Sequence, residues 1–247
     1  MNLYSSFFEL DFSSLSGEIW ISIFLCLALS LFCVVIGLIA RRVDPLKKPK
    51  GIMIVMEMAV EKVDEMVHVN MGSRFRAFAP YVMVLCIYIF GCFLVGMTGL
   101  PNPLTDLMAP LSLGLITFLC IHATAAKYNK WGYFKRYIDP FAFFLPINLL
   151  SMWAPLLSLT FRLFGNALSG WVLMSIIYWA LDNLSAWIFS GFPYAVAPII
   201  APVFHAYFDL FSGFIQTTVF VMLTMLFVAQ EGPEEEEENQ RTSPSKS

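Results

Sequence analysis

The chain is short of charge. Of its 247 residues only 13% are Asp, Glu, Lys or Arg, against 58% hydrophobic and 16% aromatic. An ordinary soluble domain is about 25% charged, and what remains here is too little to cover a water-facing surface. That argues against a soluble enzyme and for a polytopic membrane protein. No GxxxxGK[ST] phosphate-binding run is present. No Cys-x-x-Cys pair occurs either. Cys26, Cys33, Cys86, Cys92 and Cys120 all lie in apolar runs and read as small buried hydrophobes, not as metal or redox groups. The formal charge of −3 misleads as an average, because six of the eighteen acids fall in residues 231–247. Without that tail the chain is slightly basic, and it carries no footprint for nucleic acid.

What is present is a set of long apolar runs. Residues 19–39, 78–99 and 109–126 contain no charged residue and span 18 to 22 residues each. An apolar bilayer core of about 30 Å takes roughly 20 helical residues. Glu9, Asp11 and Glu18, with no Lys or Arg, precede the first run, which sets it apart from a signal peptide. Two further stretches are too long for an upright span. Residues 141–181 carry one charge, Arg162, and residues 192–230 carry one, Asp209. As continuous helices each would reach about 60 Å, which fits the bilayer only at a steep tilt.

The basic residues set parity and direction. Arg41, Arg42, Lys47, Lys48, Lys50, Lys62, Arg74 and Arg76 lie between the first two spans, and Lys127, Lys130, Lys135 and Arg136 follow the third. Lys and Arg are missing before residue 41 and from residues 99–109 and 182–192. Five crossings with an outside N-terminus put every Lys and Arg except Arg162 on the cytoplasmic side, the positive-inside pattern. The expected fold class is therefore an all-α polytopic membrane protein with five membrane-crossing helices, the last two long and steeply tilted. Residues 1–18 form its extracytoplasmic N-terminus and residues 19–230 one membrane domain. Within residues 50–71, Ile52, Val55, Met56, Ala59, Val63, Met66 and Val67 keep helical spacing opposite Glu57, Glu61, Asp64, Glu65 and His68. This predicts an amphipathic helix on the cytoplasmic surface. Residues 231–247 cannot bury a core and read as a disordered acidic cytoplasmic tail.

Arg162 stands in the middle of 41 apolar residues. A central Arg costs about 3 kcal/mol on insertion scales, so such a residue marks function by default. It stays protonated and acts as a fixed charge, not a proton carrier. Ser158, Arg162, Asn166 and Ser169 step by four, four and three onto one helix face. His205, Asp209, Ser212 and Gln216 do the same in the last stretch. Two polar stripes in otherwise greasy helices predict a hydrated ion route with a charge control point. The plainer readings are an Arg162–Asp209 pair and interhelical hydrogen-bond glue. A carboxylate with an imidazole one turn away can also exchange protons.

The run LSLTFRLFGNALSG (157–170) resembles the signature of subunit a of F-type ATP synthases, the stator subunit that carries ions past a rotating ring. GYFKRYIDPFAFFLPINLL (132–150) and HAYFDLFSGFIQTTVFVMLTMLF (205–227) are similar to family segments too, and the likeness spans most of residues 50–230. The resemblance implies that Arg162 is the essential arginine facing a ring carboxylate, with Asn166 one turn on and Gln216 packed near it. It implies that Asp209, with His205, serves the outer half-channel. It further implies a tilted helical hairpin, a ring of small ion-binding subunits, a peripheral stalk, a catalytic headpiece and proton or sodium as cargo, with no cofactor and no metal.

The chain departs from the family pattern. Trp171 stands nine residues after the arginine, where many members carry Glu or His, and it cannot relay protons. Ser151, Met152, Trp153, Ala154 and Pro155 replace a region that often holds Glu, and an Asp-Leu-Asn motif reads Asp106-Leu107-Met108. The inner half-channel is then left to Asn148, Ser151 and water. Two other functions compete. A self-contained secondary transporter would show internal repeats, and the two long segments share none beyond length. A haem carrier would use His122 and His205 as axial ligands, but His122 reads better as a helix-packing residue.

Overall fold

The computed structural model of the chain describes residues 17–42, 51–129, 145–188 and 196–232, and every regular element among them is helical. In order these are α1 (Gly17–Arg42), α2 (Ile52–Met71), a 3-10 turn (Ser73–Phe78), α3 (Ala79–Met97), a second 3-10 turn (Pro103–Thr105), α4 (Met108–Asn129), α5 (Leu145–Ile188), α6 (Ala197–His205), a π-helical turn (Ala206–Phe211) and α7 (Ser212–Gln230). Five helices are long and apolar enough to cross a membrane: Gly17–Arg41, Ser73–Met97, Met108–Tyr128, Leu150–Ile188 and Ala197–Gln230. The chain is an all-α polytopic membrane protein.

α5 has 44 residues, a length of about 66 Å at the helical rise. It fits a bilayer core of about 30 Å only when strongly inclined. One sequence expectation needs correction here. The long apolar stretch was bounded at residue 181 by its lack of charge, which left Asp209 as the one acid in either long segment. The helix instead continues to Ile188 and takes in Asp182. An exposed helix end sets no limit on charge, so charge-free length underestimates a helix that reaches the interface. The expected N-terminal segment before residue 17, the basic stretches 43–50 and 130–144, and the acidic tail from residue 233 lie outside the described residues.

The core sits where α3 and α7 meet. Val82, Leu85, Ile89, Cys92 and Phe93 of α3 pack with Phe220, Val221, Met225 and Val228 of α7, joined by Leu159, Leu163 and Ala167 of α5. Within a bilayer no hydrophobic drive brings helices together, so close contact through small residues carries the association. Gly213 shows this directly: a Cβ there would lie 2.6 Å from Phe93 Cβ and Cγ. At Gly114 of α4 a Cβ would collide with Thr160 Oγ1 and stand 3.2 Å from Leu156 of α5. α1 lies at the edge, held to α3 partly by the Ser22–Tyr88 hydroxyl pair at 2.7 Å.

α2 is amphipathic as its sequence predicts. Val67 and Met71 are buried, and Val63 and Met66 pack on the core cluster, while Glu57, Glu61, Glu65 and His68 are exposed. Ile52 and Val55 remain exposed, so only the second half of the helix docks on the bundle. Arg76 Nη2 donates to Asp64 Oδ2 at 2.6 Å across the Gly72 turn and holds that carboxyl below the usual carboxylate range.

Candidate functional site

Burial on α5 follows helical spacing. Leu156, Leu159, Thr160, Leu163 and Ala167 are buried against the bundle. The flank beside them, Ser158, Arg162, Asn166 and Ser169, is exposed. Arg162 makes no ion pair among the described residues. The structural alternative, an Arg162–Asp209 pair, does not form. Asp209 Oδ2 is instead 2.5 Å from His205 Nδ1 on its own helix.

That pair belongs to a longer chain of polar groups. His205 Nε2 lies 2.8 Å from the hydroxyl of Tyr178 on α5, so one imidazole joins Asp209 to the facing helix. Asp209 sits in the π-helical turn Ala206–Phe211. Such turns are rare and concentrate at functional sites, and the extra residue resets the side chains beyond it by about 100° relative to an unbroken helix. The stripe read as one straight face is therefore bent: Asp209 meets the group next to Tyr178, while Gln216 turns inward and is 4% exposed. Asn166 Nδ2 donates to Gln216 Oε1 at 2.5 Å, so the two stripes touch one turn from Arg162.

Asp209 also has a neighbour that sequence reasoning missed. A Cβ built on Gly96 would lie 3.6 Å from Asp209 Oδ1 and 3.7 Å from Asn102 Nδ2, so the carboxylate and this buried amide flank the same glycine. Asn102 caps the 3-10 turn just ahead of the Asp106-Leu107-Met108 variant, accepting from the Leu104 N–H at 2.9 Å.

Three cavities follow the two long helices. One of about 590 Å³ is lined by His122, Ser151, Pro155, Ser158, Gln230 and Glu231 among others. Pro155 lacks an N–H, which leaves the Ser151 carbonyl without its intrahelical donor inside this space. A second, of about 260 Å³, lies between the helices and is lined by Asn166, Ser169, Tyr207, Ser212 and Gln216 among others. The third, of about 500 Å³, is lined by Tyr178, Asp182, His205, Pro198, Pro202 and two alanines.

The order along α5 matters most. The first cavity ends at Ser158, one turn before Arg162, and the second begins at Asn166, one turn after it. The arginine divides polar space on its two sides. Ser151 of the expected inner set lines the first cavity; Asn148 lies on α5, and its side chain is outside the described residues. His122 and Glu231 share that cavity and were not assigned to the route from sequence. His122 Nδ1 is 2.9 Å from the Phe118 carbonyl. Trp171 is exposed on the outer surface and lines none of the three.

The family model described as ATP synthase A chain matches residues 20–229. The protein named ATP synthase subunit a of Mycoplasma genitalium is 32% identical over 209 residues, covering 77% of this chain and 70% of that protein. The protein of the same name from Oceanobacillus iheyensis is 31% identical over 224 residues, covering 86% and 88%. That of Desulforamulus reducens is 35% identical over 164 residues, covering 65% and 60%. With the match running from the first span to the end of the last, the chain belongs to the ATP synthase A chain family.

Proposed function

We propose that this chain is the ion-carrying stator subunit of a rotary ATP synthase, coupling transmembrane ion flow to rotation of a ring of small subunits. The observation that carries the reading is the position of Arg162, exposed and without an ion pair among the described residues, between two polar cavities. A ring carboxylate neutralised by an incoming ion can face lipid. Opposite a fixed guanidinium the ionised form is favoured, so the carboxylate releases its ion before passing. The same charge repels cations and blocks leakage from one half-channel to the other. Each charge moved through 100 mV supplies about 2.3 kcal/mol, so several ions are needed per ATP formed.

In this reading the outer half-channel runs past Tyr178, His205 and Asp209 to Ser212, Ser169 and the Asn166–Gln216 pair. An imidazole linked at both nitrogens suits a proton as cargo, with sodium as the other possibility for the family. The inner half-channel is the 590 Å³ cavity, where Ser151, His122 and Glu231 stand in place of the acids missing before the arginine. In keeping with the positive-inside pattern of the basic loops, the N-terminus lies outside and the acidic tail in the cytoplasm in this reading. The ring, a peripheral stalk and the catalytic headpiece are its partners in the complex.

The deciding experiment is purification of the chain from native membranes. Co-purification with a small two-helix ring-forming protein and a nucleotide-hydrolysing headpiece is the expected result. Isolation as a single chain that transports ions by itself after reconstitution would favour a self-contained transporter instead.

A further inference from the structure

Asp182 lines the 500 Å³ cavity near the end of α5. Its Oδ1 is buried and makes no hydrogen bond among the described residues. It stands on α5 six residues before Ile188. A buried acceptor left unsatisfied costs stability, so its retention calls for an explanation beyond packing. The cavity it faces offers one. Tyr178 lies one turn before it on the same helix face, and His205 closes the cavity from α6. The remaining lining, Pro198, Pro202 and two alanines, carries no titratable side chain. The ring of Pro202 supplies no N–H, so the Pro198 carbonyl is left as a further acceptor in the same space. At about 500 Å³ the cavity has room for water between these groups.

Resting on the half-channel reading above, we propose that Asp182 is the proton-collecting carboxylate of the outer half-channel, feeding Asp209 through Tyr178 and His205. The absence of a protonatable side chain at Trp171 then has a counterpart three turns further along α5. The transfer balances in one pass. Asp182 takes a proton from the outer compartment and passes it across the cavity to the Tyr178 oxygen as the Tyr178 hydroxyl proton moves to His205 Nε2. The imidazole releases its Nδ1 proton to Asp209 Oδ2. Asp182 and Tyr178 end as they began, His205 has exchanged the proton-bearing nitrogen, and Asp209 is a carboxylic acid ready to discharge toward the ring. After discharge the imidazole resets by tautomer exchange with water in the cavity, which gives a proton to Nδ1 as it takes one from Nε2, with no net transfer.

The test uses the complete complex in liposomes, with proton-driven ATP synthesis measured against outer pH at fixed inner pH, per assembled complex. Asp182→Asn should lower the rate at least about tenfold at the alkaline end of the range, where collection limits supply, and much less at the acidic end. Asp182→Glu should recover most of the loss, since it keeps the carboxyl. A parent-like Asp182→Asn profile would overturn the assignment, as would equal, pH-independent losses in the Asn and Glu variants, which mark a purely structural residue. Arg162→Ala serves as the separate arm. If it too retained coupled synthesis, the half-channel reading itself would fall, whatever Asp182 does.

Discussion

Asn166 on α5 donates to Gln216 on α7 at 2.5 Å, tying the last two membrane-crossing segments together one turn from Arg162. Gln216 Nε2 has no hydrogen bond of its own among the described residues. The pair fixes the distance between the helices at the level where the two polar cavities come closest.

Removing either partner should therefore act through the other. In the assembled complex, Asn166→Ala and Gln216→Ala should each lower thermal stability, and the double variant should be less damaged than the sum. Interhelical hydrogen bonds in membranes average about 0.6 kcal/mol in such cycles, reaching about 1.7. Strictly additive losses would mean that the two amides do not depend on one another.

Arg162→Ala should abolish ion-driven ATP synthesis while leaving the complex assembled, because the exposed guanidinium is not an ion-pair partner that the bundle needs. Arg162→Lys should be badly impaired as well, since an ammonium can lose its proton and lacks the planar fork. Near-normal coupled synthesis in inverted vesicles for Arg162→Ala would remove the fixed-charge role.

Gly213→Val should do the reverse, damaging assembly before chemistry. Even a single added carbon at this position meets the Phe93 side chain at 2.6 Å, and the site lies between α3 and α7 where the core is tightest. Overpacking of this kind costs about 1–3 kcal/mol. The expected readout is a lower yield of intact complex and an earlier thermal transition, with the rate per surviving complex little changed. Full yield and an unchanged transition would show that the helices separate easily here.

The number and type of the membrane helices were legible in the sequence because each depends on an uninterrupted apolar run, which composition records directly. Arg162, Asn166, Asp209 and Gln216 were legible because polar residues in such runs are rare. Asp182 was not, because it lies just past the charge-free window although the helix continues around it. Glu231 and His122 were missed for another reason. They reach the first cavity from the end of α7 and from α4, a meeting that only tertiary packing creates. The π-helical turn has no reliable pattern of its own, so the bend of the second polar stripe was invisible until the helix was seen.

The proposed direction of the chain in the membrane rests on its basic loops and is open to a direct check. A cysteine introduced at Ser245, with the five native cysteines replaced, should react with an impermeant thiol reagent only from the cytoplasmic side. Labelling in intact cells would contradict the five-crossing arrangement with its outside N-terminus.

Asp209 and His205 offer the most informative comparison, because the two side chains touch and yet should fail differently. Asp209→Asn keeps size and hydrogen bonding to His205 Nδ1 but cannot carry an exchangeable carboxyl proton. Synthesis driven by protons should slow by about 10²-fold or more, the usual contribution of a positioned acid–base group. Asp209→Glu should retain part of the activity, limited by the extra methylene in a site bounded by Gly96 and Asn102. His205→Ala removes the link to Tyr178 but also removes the side chain between the cavity and Asp209, so water can replace the imidazole there and the loss should be smaller than for Asp209→Asn. Its defect should deepen as the outer compartment becomes alkaline, where direct collection of protons by Asp209 has to replace the relay. Rates of proton-driven synthesis against outer pH in the three variants decide the matter. Equal rates for Asp209→Asn and the parent across that range would mean that water alone carries protons to the ring and that the Asp209–His205 pair holds the helix turn in shape.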